Sequence, residues 1–329
     1  MRNSLSFSLT LFTACLGGCT IPAAQPNPLV NGRPASSAIA PSPPLDCKMR
    51  LAEKAQEFSL IVETADKRQV PVTVFAPAKG GMYPLAAFSH GAFAAPDRYR
   101  ALLGPIAAAG FVVIAPMHVD SEEFEHEVPP SQSETWLTRN ADMALALAPP
   151  RSIIDELSNR DLTLDPGRTA AFGHSFGALI AQLTAGAQAV EPNGVSPNRR
   201  NQAVDVVVGW SPPGPNPGLI AVEGWKSLAV PTLTITGTTD VFPGSADPWQ
   251  VHMATYENAP SGLGALWVGE GIDHYFGGVF GREKPADPSS QRLFDQALAV
   301  SLQFLERGVS VDNPCLLGEA IEGETRTRN

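Results

Sequence analysis

Gly173-His174-Ser175-Phe176-Gly177 decides how this chain is read. The pentapeptide follows a short apolar run, Thr169-Ala170-Ala171-Phe172, and precedes a helix-like one, Ala178-Leu179-Ile180-Ala181-Gln182-Leu183. Strand, sharp turn and helix form the context in which Gly-x-Ser-x-Gly lifts a serine hydroxyl above a sheet. A serine on so tight a turn has a strained backbone, and flanking residues without a Cβ let strand and helix close around it. Taken alone, the pattern equally fits an ordinary glycine-rich turn. The context, and partners in the right chain order, separate the two.

A serine hydroxyl becomes nucleophilic when a neutral imidazole takes its proton and a carboxylate orients that imidazole. On a strand–turn–helix elbow the chain order is serine, acid, histidine. Of six histidines, only His252 and His274 follow Ser175 at a useful distance. His274 lies on a glycine-rich loop, residues 270–278, straight after the apolar run 263–268. His252 falls in a helix-like stretch and reads as a surface or half-buried helix residue. For the acid, residues 230–237 form a β-rich run that ends in Thr238-Thr239-Asp240. Asp247, deeper in the same loop, is the rival. Asp205 opens a strand rather than closing one, and Asp273 adjoins His274, where neighbouring side chains point apart.

An oxyanion needs two N–H donors. The strand-like Tyr83-Pro84-Leu85-Ala86-Ala87-Phe88 runs into Ser89-His90-Gly91-Ala92-Phe93, which offers the Ala92 N–H. Phe176, directly after the serine, offers the other. Gly91 lets the loop bend, and His90 reads as a hydrogen-bonding residue of the loop. Gly91, Phe93, Phe176, Trp210 and Tyr275 are candidate pocket walls, with core packing an equal reading for Trp210.

Phe88-Ser89-His90-Gly91 together with Gly173-His174-Ser175-Phe176-Gly177 resembles one α/β-hydrolase branch. That branch contains platelet-activating-factor acetylhydrolases, dienelactone-hydrolase-like proteins, chlorophyllases and cutinase-like polyester hydrolases. The likeness covers residues 57–307 and includes Leu162-Thr163-Leu164-Asp165-Pro166-Gly167-Arg168. It implies an α/β-hydrolase fold, with a mostly parallel central sheet and helices on both faces. It also implies Ser175 as nucleophile, His274 as base, and Ala92 and Phe176 as oxyanion donors. Asp240 matches the usual acid position. The acetylhydrolases place their acid one strand earlier, near a tryptophan; here Val208 and Gly209 precede Trp210, so no acid is available there. Dienelactone hydrolases proper use cysteine where this chain has serine.

The chain has 329 residues, ample for one large α/β domain. A net charge of −10 argues against nucleic acid, whose phosphates want a basic face. Met1-Arg2-Asn3, a short apolar stretch and Leu16-Gly17-Gly18-Cys19 look like a bacterial lipoprotein leader, with Cys19 acylated after removal of residues 1–18. Residues 19–46, rich in Pro, Ala, Ser and Asn, read as a tether. The hydrolase domain then spans 47–320, and 321–329 is a polar tail expected to fray. This places the chain in the periplasm or on the outer membrane, held by a lipid anchor. Such an oxidising compartment predicts a Cys47–Cys315 disulfide.

Along the body, residues 57–64 and 69–75 read as an antiparallel hairpin, 97–109 as helix and 111–116 as a buried strand. Residues 139–148, 151–159 and 289–308 read as helices. The alternation of strands and helices predicts a parallel sheet covered on both faces, with its site at the strands' C-terminal ends. The acidic run 118–127, with His118 and His126, reads as a solvated loop rather than a cation site, and no metal or cofactor is expected. The function expected is a serine-dependent carboxylic ester hydrolase on small-molecule or lipid-like esters. The alternatives are a polyester or lipid hydrolase acting on insoluble substrate, and a non-catalytic hydrolase-like binding protein.

Overall fold

The structure is a computed structural model that describes residues 54–124, 130–191, 193–216, 218–242, 245–280 and 287–309, and the backbone of 324–327. Cys19, Cys47, Cys315 and His126 lie outside the described residues.

Among the described residues, nine strands form one sheet in the order β1-β2-β4-β3-β5-β6-β7-β8-β9. β1 (Ala55–Glu63) and β2 (Gln69–Pro77) make the expected hairpin, and β2 runs antiparallel to β4 (Val112–Pro116). From β4 onward the pairing is parallel: β3 (Gly81–Ser89), β5 (Leu162–His174), β6 (Val206–Trp210), β7 (Thr232–Thr239) and β8 (Gly264–Asp273). Strict alternation along the strands splits the core in two. Leu85 and Ala87 face one layer, while Ala86 and Phe88 face the other.

Helices cover both faces. α1 (Arg100–Ala108) lies with the second layer, while α2 (Gln132–Leu147), α3 (Arg151–Ser158) and α4 (Phe176–Thr184) supply the first. The five-residue α5 (Ala254–Asn258) sits beside β7 and β8. The last helix, α6 (Pro288–Gly308), keeps the spacing read from sequence. Leu293, Phe294, Ala297, Leu298, Leu302 and Leu305 all pack into the second layer.

Three elements depart from the sequence reading. α2 begins seven residues earlier than expected, because Ser131 caps it by accepting the Glu134 N–H at 3.1 Å. β5 extends back to Leu162 and pairs with β3 on both sides of a register shift, Pro84 facing Asp165 and Leu85 facing Thr169. The third concerns the polar tail, where Glu324–Thr327 forms β9, antiparallel to β8. Backbone groups on the edge of β8 take a partner regardless of side-chain polarity, and the two threonines suit a strand.

Trp210 belongs to the second layer, where its ring meets Phe276, Phe280 and Phe294 at centroid distances of 4.8, 5.5 and 5.6 Å. Phe294→Ala should cost about 3–5 kcal/mol, as large-to-small changes in close-packed aromatic cores do. Urea unfolding measures it; a loss below 1 kcal/mol contradicts this packing.

Candidate active site

β5 ends at His174 and α4 begins at Phe176, which leaves Ser175 alone on the turn with φ 54° and ψ −123°. Left-handed φ strains any residue with a Cβ, so surrounding structure must hold it. The neighbouring glycines show how tightly it is held. A Cβ on Gly177 would lie 2.0 Å from the Ser89 carbonyl oxygen, and one on Gly173 would lie 2.4 Å from that of Gly177. The elbow is therefore pressed directly against the end of β3.

His274 follows β8 at the same end of the sheet. Asp273 shapes its turn, accepting the N–H groups of Tyr275 at 3.0 Å and Gly277 at 2.8 Å. The His274 Nε2 lies 3.0 Å from Ser175 Oγ, and its Nδ1 lies 2.7 Å from Asp240 Oδ1. Asp240 is fully buried past the end of β7, and its Oδ2 accepts the Thr236 hydroxyl at 2.7 Å. Burial pushes the Asp240 carboxyl up, but the His274 hydrogen bond and the nearby imidazoles outweigh it and hold the acid below its usual range. The rival Asp247 is exposed on the cavity wall and bonded to Ser245. Asp205 instead accepts the Thr169 N–H at 3.0 Å, fastening the start of β6 to β5.

Ala92, Phe93, Ser175, Phe176 and His274 line one cavity of about 730 Å³. Phe176 is the first residue of α4, so its N–H has no partner within the helix. Three expected pocket walls are elsewhere. Trp210 is sealed in the core. Gly91 lies beneath the surface, where a Cβ would come within 2.9 Å of the Tyr99 hydroxyl and 3.0 Å of His174 Nδ1. Tyr275 sets its ring against His274, centroids 5.2 Å apart, outside the cavity lining.

Two further features correct the sequence reading. His252 is buried rather than on the surface, because the short turn Trp249–Met253 packs against β7. Its Nε2 lies 3.2 Å from Asp240 Oδ1, and its Nδ1 lies 2.6 Å from the Pro212 carbonyl. Asp240, His252 and His274 are donors of the kind that bind zinc, and they converge within 4.8 Å. Asp240 lies 2.7 Å from the His274 Nδ1, a hydrogen-bond spacing shorter than the about 3.3 Å that separates ligands around a tetrahedral zinc. The other correction is the acidic loop. His118 and Asp120 turn inward onto Asp142, Ser89 and Arg139, leaving Glu122 and Glu123 outside.

Sequence reasoning missed Tyr99, Arg139 and the bonding of His174. The His174 Nδ1 meets the Tyr99 hydroxyl at 2.9 Å, and its Nε2 meets the His274 carbonyl at 2.8 Å. Burial drives the His174 pKa down to about 3, with His274 adding to the fall. Burial likewise lowers His90 and His118 well below the usual range. Each is neutral when folded and takes up a proton on unfolding below about pH 6.5, its ordinary value. Stability from these three is full above that pH and declines as pH falls, by about 1.4 kcal/mol per pH unit for each. Asp142 opposes them: burial raises its carboxyl to about 6, so between pH 3.8 and 6 it loses its proton on unfolding, which favours the unfolded state more as pH rises. Three histidines outweigh one acid, so the urea midpoint should fall between pH 7 and pH 5. A midpoint that holds or rises contradicts the assignment.

Comparisons with known proteins bear on the fold. Residues 51–191 match the Chlorophyllase family model, a span that holds Ala92 and the Ser175 elbow but neither Asp240 nor His274. A solved structure from Klebsiella pneumoniae subsp. pneumoniae MGH 78578, named by assignment a dienelactone hydrolase, superposes with a TM-score of 0.53. It is 16% identical and covers 77% of this chain and 99% of its own. None of the curated proteins matches the chain. The α/β-hydrolase likeness read from the sequence is thus found in both comparisons.

Proposed function

We propose that this chain, which carries the α/β-hydrolase fold, is a serine-dependent carboxylic ester hydrolase. One observation carries the reading: Ser175 Oγ, His274 and Asp240 form an unbroken hydrogen-bonded row that opens into the cavity. In this mechanism His274 Nε2 takes the Ser175 proton as Oγ attacks the acyl carbon. Asp240 holds the Nδ1–H and stabilises the imidazolium that forms. The Ala92 and Phe176 N–H groups receive the charge developing on the carbonyl oxygen. His274 then gives its proton to the leaving alcohol. Water, deprotonated by the same ring, releases the acid from the acyl-enzyme.

The cavity wall supports an apolar rather than an anionic acyl or alcohol group. Trp136, Phe176, Leu219, Phe242 and Val251 line it beside Asp120, Glu122 and Asp247, and no lysine or arginine is among its described lining residues. A second reading, hydrolysis of insoluble polyester or lipid, draws on two aromatic side chains at the cavity. Phe93 is 63% exposed and Phe242 is 51% exposed. Exposed apolar surface beside a cleft suits contact with a hydrophobic phase. The lipid anchor at Cys19 belongs to the same proposal, holding the enzyme at a membrane of the cell envelope.

Ser175→Ala should lower turnover of a p-nitrophenyl ester by at least about 10³-fold with the melting temperature retained. Unchanged turnover sinks the assignment. Rates of the parent protein on short-chain esters, long-chain esters and polyester film separate the two substrate readings; a preference for film over soluble esters selects the second.

A further inference from the structure

Arg139 lies mid-way along α2 and is wholly buried. A guanidinium in the interior is tolerated only when its donors are matched. Nε and Nη2 fork onto Asp120, with both bonds 2.8 Å long. The remaining capacity goes to two successive carbonyls of the loop after β3. Nη1 donates to His90 O at 2.7 Å, and Nη2 donates to Gly91 O at 3.0 Å.

The Gly91 carbonyl is one end of the peptide group whose other end is the Ala92 N–H. That group is planar and trans, as no cis peptide bond occurs in the described chain. Fixing its C=O toward Arg139 therefore aims its N–H the opposite way. His90 adds a second hold. Its Nε2 accepts the His118 N–H at 2.9 Å, so Nδ1 carries the proton and donates to Gly91 O at 2.7 Å. Asp120 completes the clamp on the far side, accepting the Phe93 N–H at 3.3 Å where that residue's backbone is left-handed, φ 63°. The same guanidinium lies over the Phe176 ring, 4.7 Å from its centroid. One buried cation thus touches Phe176 and the peptide group that carries the Ala92 N–H.

We propose that Arg139, paired with Asp120, is the positioning residue of the oxyanion hole, fixing the Gly91–Ala92 peptide plane and polarising it so that the Ala92 N–H is a stronger donor. This rests on the esterase reading above. Arg139 does not line the cavity, so it acts through the loop and not on substrate. Its contribution exists only once charge develops on the carbonyl oxygen, which makes it an effect on kcat rather than on KM.

Arg139→Lys keeps the charge but cannot fork onto Asp120 while holding two carbonyls. The double variant Arg139→Gln with Asp120→Asn removes both charges together, so neither is left buried alone. With a short-chain p-nitrophenyl ester, each folded variant should lose about 10- to 1000-fold in kcat, reaching at most the roughly 10²- to 10³-fold that outright loss of one oxyanion donor costs. For Arg139→Lys, KM should stay within about two-fold, and the pH profile of kcat should keep its shape, since Arg139 touches neither His274 nor Asp240. A folded variant of either kind with kcat within three-fold of the parent overturns the proposal, as does a loss in Arg139→Lys that is borne by KM. If Ser175→Ala is inactive while these variants are not, the positioning role alone fails. If the parent and Ser175→Ala hydrolyse the ester equally, the esterase reading fails and takes the positioning role with it.

Discussion

The structure depends on a serine held in a conformation that serine avoids. At φ 54° the Ser175 backbone is strained by about 1–3 kcal/mol, and the strain persists only because the elbow is jammed against β3. The approach of Gly177 to the Ser89 carbonyl has a second consequence. It brings the loop after β3 beside the hydroxyl, so the Ala92 peptide and the serine are set by one contact. Parallel strands β3 and β5 are adjacent and end together, which is what makes the contact possible.

Two buried polar networks flank that contact, and each locks one side of the site. On one side Tyr99 and His174 carry hydrogen bonds through to the His274 backbone, fixing the base loop. On the other, Arg139 and Asp120 hold the loop after β3, with His90, His118 and Asp142 filling in behind. Buried polar groups are costly when unmatched, so networks of this kind resist rearrangement. They bring order to a region that, by sequence, is a set of polar loops. Although burial pushes the Asp120 carboxyl up, the Arg139 fork holds it well below its ordinary range, so the clamp stays ionised.

What the sequence made legible was local. The elbow announced itself through two glycines around a serine, and His274 and Asp240 through their places just past strands. The apolar spacing of α6 was readable for the same reason. The choice between Asp240 and Asp247 was not, because both follow β7 and only the tertiary turn of the loop buries one and exposes the other. His252 lies in a short turn with no sequence mark, and its role as a second neighbour of Asp240 comes from packing against β7. Arg139 was hidden by its type, since an arginine on a helix ordinarily faces water. Ser131 and Glu134, by contrast, were a readable cap that places the start of α2 earlier. The tail strand β9 carries no apolar pattern at all; it exists through backbone pairing to β8.

The central claim is that Ser175 is the activated hydroxyl of this site. Reaction of the intact protein with a fluorophosphonate, followed by proteolysis and mass spectrometry, tests it directly. A single phosphonyl adduct is expected, on the peptide containing Ser175. An unmodified Ser175 after prolonged exposure, or an adduct confined to another residue, contradicts it.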